Sequence, residues 1–175
     1  MKLLLNDSSV LLNLLAADCL AEITADLRWQ LAICPAVRDE AMKLRDPATG
    51  DMVPVDIAPL IAAGLLQVLE LAGDAEQVLY VEQAIVVDDG EAMSIAIATS
   101  RGLELAIDDK QATNHAHRAF PKMKLWTTPE ILKHWMDTAS ISAERLREVI
   151  RRIEARARYF PPKLHPLAAW WYSTK

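Results

Sequence analysis

The 175-residue sequence has only five glycines and two cysteines. The glycines stand at positions 50, 64, 73, 90 and 102, and none belongs to a G-x-G-x-x-G or P-loop motif, which argues against a nucleotide-cofactor enzyme. Cys19 and Cys34 lie in apolar surroundings, so we expect buried free thiols in a reducing compartment rather than a disulfide framework. No group of cysteines and histidines has zinc-site spacing.

Long hydrophobic runs are also missing. The apolar runs Leu3–Leu5, Val10–Ala17 and Ile85–Val87 stay well below the roughly 20 residues that a membrane-spanning helix needs. No clear cleavage site follows the N-terminal apolar stretch, so we expect a cytoplasmic protein with no membrane partner. The net charge of −5 argues against nonspecific coating of nucleic acid, although a nuclease with a local basic face stays open.

The length and the 52% hydrophobic content fit one folded domain in which short apolar strands alternate with helices. The candidate strands are Leu3–Leu5, Leu31–Cys34, Leu66–Leu71, Leu103–Ile107 and Lys124–Trp126. This alternation predicts an α/β fold with a central parallel sheet, right-handed crossovers and helices on both faces.

The segments between the strands carry recognisable helix and loop signals. Ser8 or Ser9 is a candidate cap for a leucine-rich helix from Val10 to Leu20. Pro35 suits the first turn of a helix that we expect to reach about Leu44. The stretch from Asp46 to Asp56 contains two prolines and a glycine and predicts an exposed loop.

Acidic residues follow several of these strands. Asp7 comes directly after the first strand, and Asp108 and Asp109 come directly after a later one. We place Glu40 and Glu91 in the first turns of helices that leave the same edge of the sheet. Because open parallel sheets bind ligands beyond the carboxyl ends of their strands, these acids are expected to share one pocket.

A shared acidic pocket has a direct chemical consequence. Clustered carboxylates repel one another unless a cation compensates, and ligand sets made only of oxygen favour Mg²⁺ or Mn²⁺ over zinc. Each acid also has a simpler interpretation: Asp7 as a helix cap, Glu40 as a solvated residue, and Glu91 as a partner of the helix dipole. Asp88 and Asp89 are further candidates for the acid that we assign to Glu91. In the simpler interpretation, one residue of the Asp108–Asp109 pair faces solvent.

The last part of the chain differs in character, so we divide the sequence into residues 1–138 and a C-terminal extension, residues 139–175. A strongly amphipathic helix is predicted over Ser142–Tyr159. Its arginines are candidate contacts for RNA phosphates, foremost Arg145, Arg151, Arg152 and Arg156. The alternative, slightly favoured, is a solvated face in which these arginines pair with nearby glutamates. The aromatic residues Trp170–Tyr172 are expected to pack on the domain or on a partner subunit.

Four stretches of the sequence resemble the PIN-domain family, in particular its VapC-like toxin nucleases. They are residues 6–14, 34–40, 89–98 and 105–110, and they follow in the expected order over roughly the first 125 residues. The resemblance implies a three-layer fold and an endoribonuclease that depends on Mg²⁺ or Mn²⁺. The loop at Asp46–Asp56 and the C-terminal extension depart from the family pattern.

The resemblance also implies roles for individual residues. The catalytic acids would be Asp7, Glu40, Glu91 and Asp109, and the metal ligands would be Asp7, Glu91 and the Asp108–Asp109 pair, with Ser9 and Asn13 supporting the first acid. Such proteins are commonly homodimers, and many are toxins neutralised by an antitoxin protein that inserts into the pocket. The leading hypothesis is cleavage of RNA phosphodiester bonds, and the alternative is a noncatalytic PIN-like module for RNA binding or protein assembly.

Overall fold

A five-stranded, wholly parallel sheet forms the centre of the computed structural model, which describes residues 1–174. Its strands follow in the order β5-β2-β1-β6-β7. They are β1 (Lys2–Asn6), β2 (Trp29–Ile33), β5 (Leu66–Val68), β6 (Glu104–Ala106) and β7 (Leu125–Trp126). A separate antiparallel hairpin pairs β3 (Lys43–Arg45) with β4 (Met52–Pro54). The predicted α/β fold with its central parallel sheet is confirmed.

Ten helices accompany these strands within the described residues. The first five are α1 (Ser8–Ala16), α2 (Leu20–Leu27), α3 (Pro35–Asp39), α4 (Ala58–Ala62) and α5 (Gly73–Gln83). The others are α6 (Asp89–Arg101), α7 (Lys110–Ala119), α8 (Thr128–Ala139), α9 (Ala143–Arg156) and α10 (Ala168–Ser173). No described helix is both long enough and apolar enough to span a bilayer.

The middle strand β1 is buried because helices cover both faces of a parallel sheet. Leu4 lies opposite Leu31 of β2, and Leu5 lies opposite Leu105 of β6. All four side chains are almost completely buried. A continuous apolar run is therefore what a central parallel strand requires, which explains why the short leucine run at the N-terminus predicted this strand correctly.

The leucine-rich segment after β1 is not one helix. It divides into α1 and α2, and Asp18 between them adopts a left-handed backbone conformation with φ of 59°. The cap of α1 is Asp7, whose side chain accepts a hydrogen bond from the backbone N–H of Ser9, so the expected serine caps are wrong. Neither proline nor glycine marks the break, so the residue pattern predicts a continuous helix there.

The helix expected from Pro35 to Leu44 is wrong beyond its first turn. Helix α3 ends at Asp39, and Glu40 is its C-cap with an extended backbone. Leu44 belongs instead to the β3–β4 hairpin, where it lies opposite Val53 and is buried. The segment expected to be an exposed loop is exposed, but it forms the turn and the second strand of a hairpin. Glu40 reaches its place from the end of a helix rather than from a first turn.

The C-terminal extension packs closely on the remainder of the chain. Helix α9 lies against α1 and β3 and buries Leu146, Val149, Ile150 and Ile153. Trp171 is completely buried, and its indole N–H donates to Glu154 over 2.8 Å. These contacts make the extension part of the hydrophobic core.

We predict that Trp171→Ala lowers the free energy of unfolding by about 3–5 kcal/mol, because it opens a cavity and removes the hydrogen bond to Glu154. Urea denaturation of the full chain measures this change. Leu164→Ala is the control, since that side chain is 90% exposed and its loss should change stability by about 0.5 kcal/mol or less. A Trp171→Ala variant as stable as the control would contradict the packing described for the extension.

Candidate functional site

The site lies where the chain order of the sheet reverses. Strand β1 lies between β2 and β6. The sheet continues from β2 to β5 on one side and from β6 to β7 on the other, so the strand order changes direction at β1. The backbone N–H of Asp7 donates to the carbonyl of Ala106 over 2.9 Å, which joins the carboxyl ends of β1 and β6 directly. Side chains that follow these two strands are therefore neighbours, as the topology of open parallel sheets predicts.

A pocket of about 410 Å³ opens at this edge, and all of the acids expected there line it. The lining residues are Asp7, Ser8, Ser9, Glu40, Asp88, Glu91, Asp108 and Asp109. Asp88, which the sequence left as an additional candidate, is therefore part of the same wall. Residues from four separate segments of the chain meet in this pocket.

Asp7 has the smallest exposed fraction of the acids in the pocket, with 4% of its surface accessible. Its Oδ2 accepts the hydroxyl of Ser9 over 2.6 Å and the backbone N–H of Ser9 over 3.3 Å. Burial raises the pKa of Asp7, and the negative charge of Asp109 raises it further, while the Ser9 hydrogen bonds oppose the shift. Ser9 thus supports the charged form of Asp7.

Asp108 is held by four hydrogen-bond donors. Thr128 donates from its backbone N–H over 2.9 Å and from its hydroxyl over 2.5 Å. Asn13 donates from its side-chain amide over 3.0 Å, and the hydroxyl of Tyr159 donates over 3.1 Å. Asn13 therefore contacts Asp108 and not Asp7. Burial still raises the pKa of Asp108, because desolvation outweighs these hydrogen bonds.

Asp109 has a different environment from its neighbour. Its side chain is the N-cap of α7 and accepts the backbone N–H of Ala112 at Oδ1 over 2.8 Å. Within residues 1–174, its Oδ2 has no hydrogen-bond donor and stays accessible to the pocket. A carboxylate has about four lone-pair directions. The four donors around Asp108 occupy its lone pairs, whereas Asp109 can accept further ligands.

Glu91 lies at the start of α6 and completes a capping box with Asp88. Its carboxylate accepts the backbone N–H of Asp88 over 3.3 Å, so Glu91 also stabilises the start of α6. Burial raises the pKa of Glu91 from 4.5 to about 7, and the charges of Asp7 and Asp109 contribute to the rise. A capping role and a place in the acidic pocket are therefore combined in one side chain.

Gly90 lets Glu40 approach this helix, although no sequence motif marks Gly90 as a site residue. A Cβ atom at Gly90 would lie 2.7 Å from Oε1 of Glu40 and 3.2 Å from a methyl carbon of Val37. Burial raises the pKa of Glu40, and the charges of Asp7 and Asp88 act in the same direction. The requirement for glycine here is a close approach between helices, since the backbone of Gly90 is not left-handed.

The pocket has no basic side chain of its own to balance these charges. Among residues 1–174, no ion pair joins Lys, Arg or His to the carboxylates of this pocket. The ligand atoms that the pocket offers fit a hard divalent cation, because all of them are carboxylate oxygens. Several of these carboxylates have raised pKa values, so a nearby cation would stabilise their charged forms. The described side chains include no group of three His, Cys, Asp or Glu that already converges as a ligand set, so binding an ion requires side-chain adjustment.

The arginines of α9 are largely engaged elsewhere. Arg145 pairs with Glu22 and Glu148, and Arg152 pairs with Glu148 and Asp18. A guanidinium N–H of Arg156 donates to the carbonyl of Ala16 over 3.1 Å. Arg151 is exposed, and no ion pair of its own is found within the described chain. These contacts favour the interpretation of a solvated, ion-paired face over that of an RNA-binding surface.

Comparisons with known proteins point to one family. A family model described as a PIN domain matches residues 3–168, which includes α9 and the start of α10. The solved structure of a PilT N-terminus domain protein from the hyperthermophilic archaeon Sulfolobus solfataricus P2 is similar, with a TM-score of 0.50 at 16% sequence identity. That likeness covers 78% of this chain and 95% of the other, and at this identity it concerns the fold alone. No curated protein matches the chain.

The raised pKa of Glu91 predicts how stability depends on pH when divalent ions are removed. Between about pH 4.5 and 7 the folded chain keeps a proton at Glu91 that the unfolded chain has lost. The free energy of unfolding should therefore fall as pH rises through this window. Glu91→Gln keeps the capping box but removes the titration, so the variant should be more stable than the parent at pH 8 in EDTA.

Urea denaturation in EDTA at several pH values measures this effect. Glu82→Gln is a matched control, because Glu82 is an exposed residue on α5 outside the pocket. The remaining acids with raised pKa values should leave a smaller slope in Glu91→Gln. The assignment is wrong if the parent and Glu91→Gln show the same pH dependence.

Proposed function

The chain belongs to the PIN-domain family, and from this premise we propose that it is a metal-dependent endoribonuclease that hydrolyses RNA phosphodiester bonds. The observation that carries the proposal is the pocket in which Asp7, Glu40, Glu91 and the Asp108–Asp109 pair meet without a basic partner. A noncatalytic module would gain nothing from carboxylates whose pKa values are raised by burial and, in addition, by their mutual repulsion.

Mg²⁺ or Mn²⁺ is the proposed cofactor, held by Asp7, Glu91 and Asp109. These acids have oxygens available at the pocket, whereas the four donors around Asp108 fit a residue that shapes the pocket and adds negative charge. When bound, such an ion polarises the phosphate group and lowers the pKa of a water molecule. The ion also compensates the repulsion among the three ligands.

The remaining acid, Glu40, is proposed to orient the attacking water and to accept its proton. Glu40 is exposed at the rim of the pocket, and its Oε1 lies near Gly90 at the start of α6. In the hydrolysis, the water oxygen forms a bond to phosphorus, and the bond from phosphorus to the leaving oxygen breaks. The proton from water goes to Glu40, and the leaving oxygen takes up a proton from solvent.

The biological setting is a further part of the proposal. By its similarity to VapC-like nucleases, we propose a toxin of a toxin–antitoxin pair that acts in the cytoplasm, with an antitoxin protein as a partner. A homodimer is supported by exposed apolar side chains at the end of α5: Val78 and Val81 on the helix and Ile85 just after it, which are 58%, 61% and 83% exposed. Val78 and Val81 are three residues apart and therefore lie on one face of α5.

Replacing one ligand should abolish both metal binding and cleavage. We predict that Asp109→Asn lowers the rate of RNA cleavage in Mn²⁺ by about 100-fold or more, since even residues that merely support metal ligands contribute about 10–100-fold. Asp7→Asn should behave in the same way. Both variants keep a good helix cap, because asparagine caps helices about as well as aspartate.

The measurements are cleavage of labelled RNA and the rise in Tm that Mn²⁺ causes by binding the folded chain. Asp74→Asn is the matched control, since Asp74 is exposed in the first turn of α5 and should retain parent behaviour. If the parent neither cleaves RNA nor gains stability from Mn²⁺ or Mg²⁺, the noncatalytic PIN-like module is the better interpretation. Cleavage by Asp109→Asn at the parent rate would refute the ligand assignment.

Gly90→Ala separates the site from the stability of the fold. The new methyl group would displace the flexible end of Glu40, while the gain in helix propensity of up to about 1 kcal/mol should keep the variant folded. We therefore predict slower RNA cleavage with a Tm within a few degrees of the parent. The matched control is Gly64→Ala. A Cβ at Gly64 contacts nothing within 4 Å, so this variant strains a left-handed backbone without displacing a side chain of the pocket. Parent-like cleavage by Gly90→Ala would exclude Glu40 from the reaction.

A further inference from the structure

A second cavity adjoins the acidic pocket on the side of the C-terminal extension. It has a volume of about 400 Å³ and shares one residue, Asp108, with the acidic pocket. One wall comes from the first turns of α7, and the other from residues 159–166, which connect α9 to α10. We refer to this cavity as the lysine groove, because Lys110 stands on its first wall and Lys163 on its second.

Hydrogen bonds fix the C-terminal wall of the lysine groove. The hydroxyl of Tyr159 donates to Asp108, which ties the wall to the carboxyl end of β6. Nδ1 of His165 accepts the backbone N–H of Leu167 over 3.1 Å, so the proton of the neutral ring belongs on Nε2. Nε2 lies 3.0 Å from the hydroxyl oxygen of Thr127, whose own hydrogen is donated to Glu130. The wall is therefore attached to the sheet at two points.

Both lysines of the groove are available to an anion. Lys110 and Lys163 are exposed, and neither takes part in an ion pair within residues 1–174. The arginines Arg145 and Arg152 of α9, by contrast, are paired with carboxylates. Lys110 and Lys163 are thus unpaired cations, one on each wall of the cavity next to the acidic pocket.

The rest of the groove is largely apolar. Leu164 is 90% exposed, and Pro162 and Pro166 lie beside it in the same wall. An exposed apolar surface in the same cavity as two cations suits a ligand that alternates flat apolar parts with negative charges. Single-stranded RNA is such a ligand, since its bases and its phosphates alternate along the chain.

We propose that the lysine groove binds the nucleotide of a single-stranded RNA that lies next to the scissile phosphate. This inference rests on the proposed function, because the shared residue Asp108 places the groove beside the pocket in which the phosphate would be cleaved. Lys110 and Lys163 contact phosphates on either side of that nucleotide, and the apolar wall around Leu164 contacts its base. The extension thereby completes the substrate site.

Lys163→Glu tests the proposal in the full-length chain. The variant should raise KM for a single-stranded RNA several-fold and leave kcat unchanged, because it removes a contact made equally in the ground state and the transition state. Binding of a fluorescein-labelled single-stranded RNA in EDTA, followed by anisotropy, should weaken as well. The slope of the logarithm of the binding constant against the logarithm of the salt concentration should become shallower by about 0.7 for one lost phosphate contact.

Two further variants make the result specific. Lys163→Arg keeps the charge and should restore parent binding and KM. Lys122→Glu changes the net charge equally but lies in a different cavity, before β7 at the amino ends of the strands, and should behave like the parent. Equal RNA affinity and KM in Lys163→Glu and Lys122→Glu would overturn the proposal and leave the groove to a peptide partner.

The two proposals fail in different ways. If the parent cleaves RNA but Lys163→Glu keeps the parent KM and affinity, the lysine groove is wrong and the nuclease proposal stands. If the parent does not cleave RNA in Mg²⁺ or Mn²⁺, the nuclease proposal fails. A loss of RNA affinity in Lys163→Glu measured in EDTA would then still support the groove as an RNA-binding site.

Discussion

The pairing of β1 with β6 is the constraint on which the site depends. These strands are distant in sequence, and the hydrogen bond from the N–H of Asp7 to the carbonyl of Ala106 fixes their carboxyl ends side by side. The acids that follow them must then lie close together in a partly buried pocket, and burial, with a smaller contribution from the charge of Asp109, raises the pKa of Asp7. A fold that placed another strand between β1 and β6 would separate the same residues.

The hydrogen bonds around the acids divide the pocket into fixed and available groups. Asp108 accepts from Thr128, Asn13 and Tyr159, and these bonds favour one position of its carboxylate. Asp109 uses one oxygen to cap α7 and leaves the other accessible. Adjacent residues of the same type therefore have different capacities for a ligand, and it is the partner side chains that create the difference.

Much of this arrangement could be predicted from the sequence, because it follows from local signals. Apolar runs that end in an acid identified β1 and β6, and the convergence of their carboxyl ends is a general property of parallel sheets. The wrong predictions concern features that depend on contacts between separate segments. The pattern around Leu44 predicts a helix because no local signal indicates its pairing with Val53, and the break at Asp18 has no proline or glycine. The donors to Asp108 come from residues 13, 128 and 159, and their convergence has no local signature.

The C-terminal extension cannot be treated as an appendage of the fold. Its apolar residues complete the core through Leu146 and Trp171, and the same segment delivers Tyr159 to Asp108 and His165 to Thr127. Stability and site geometry are thereby coupled, since a change that loosens the packing of Trp171 also reaches Tyr159, whose ring stands edge-on to the indole at 5.7 Å. The extension therefore acts on the acidic pocket through Asp108, even though it contributes none of the proposed metal ligands.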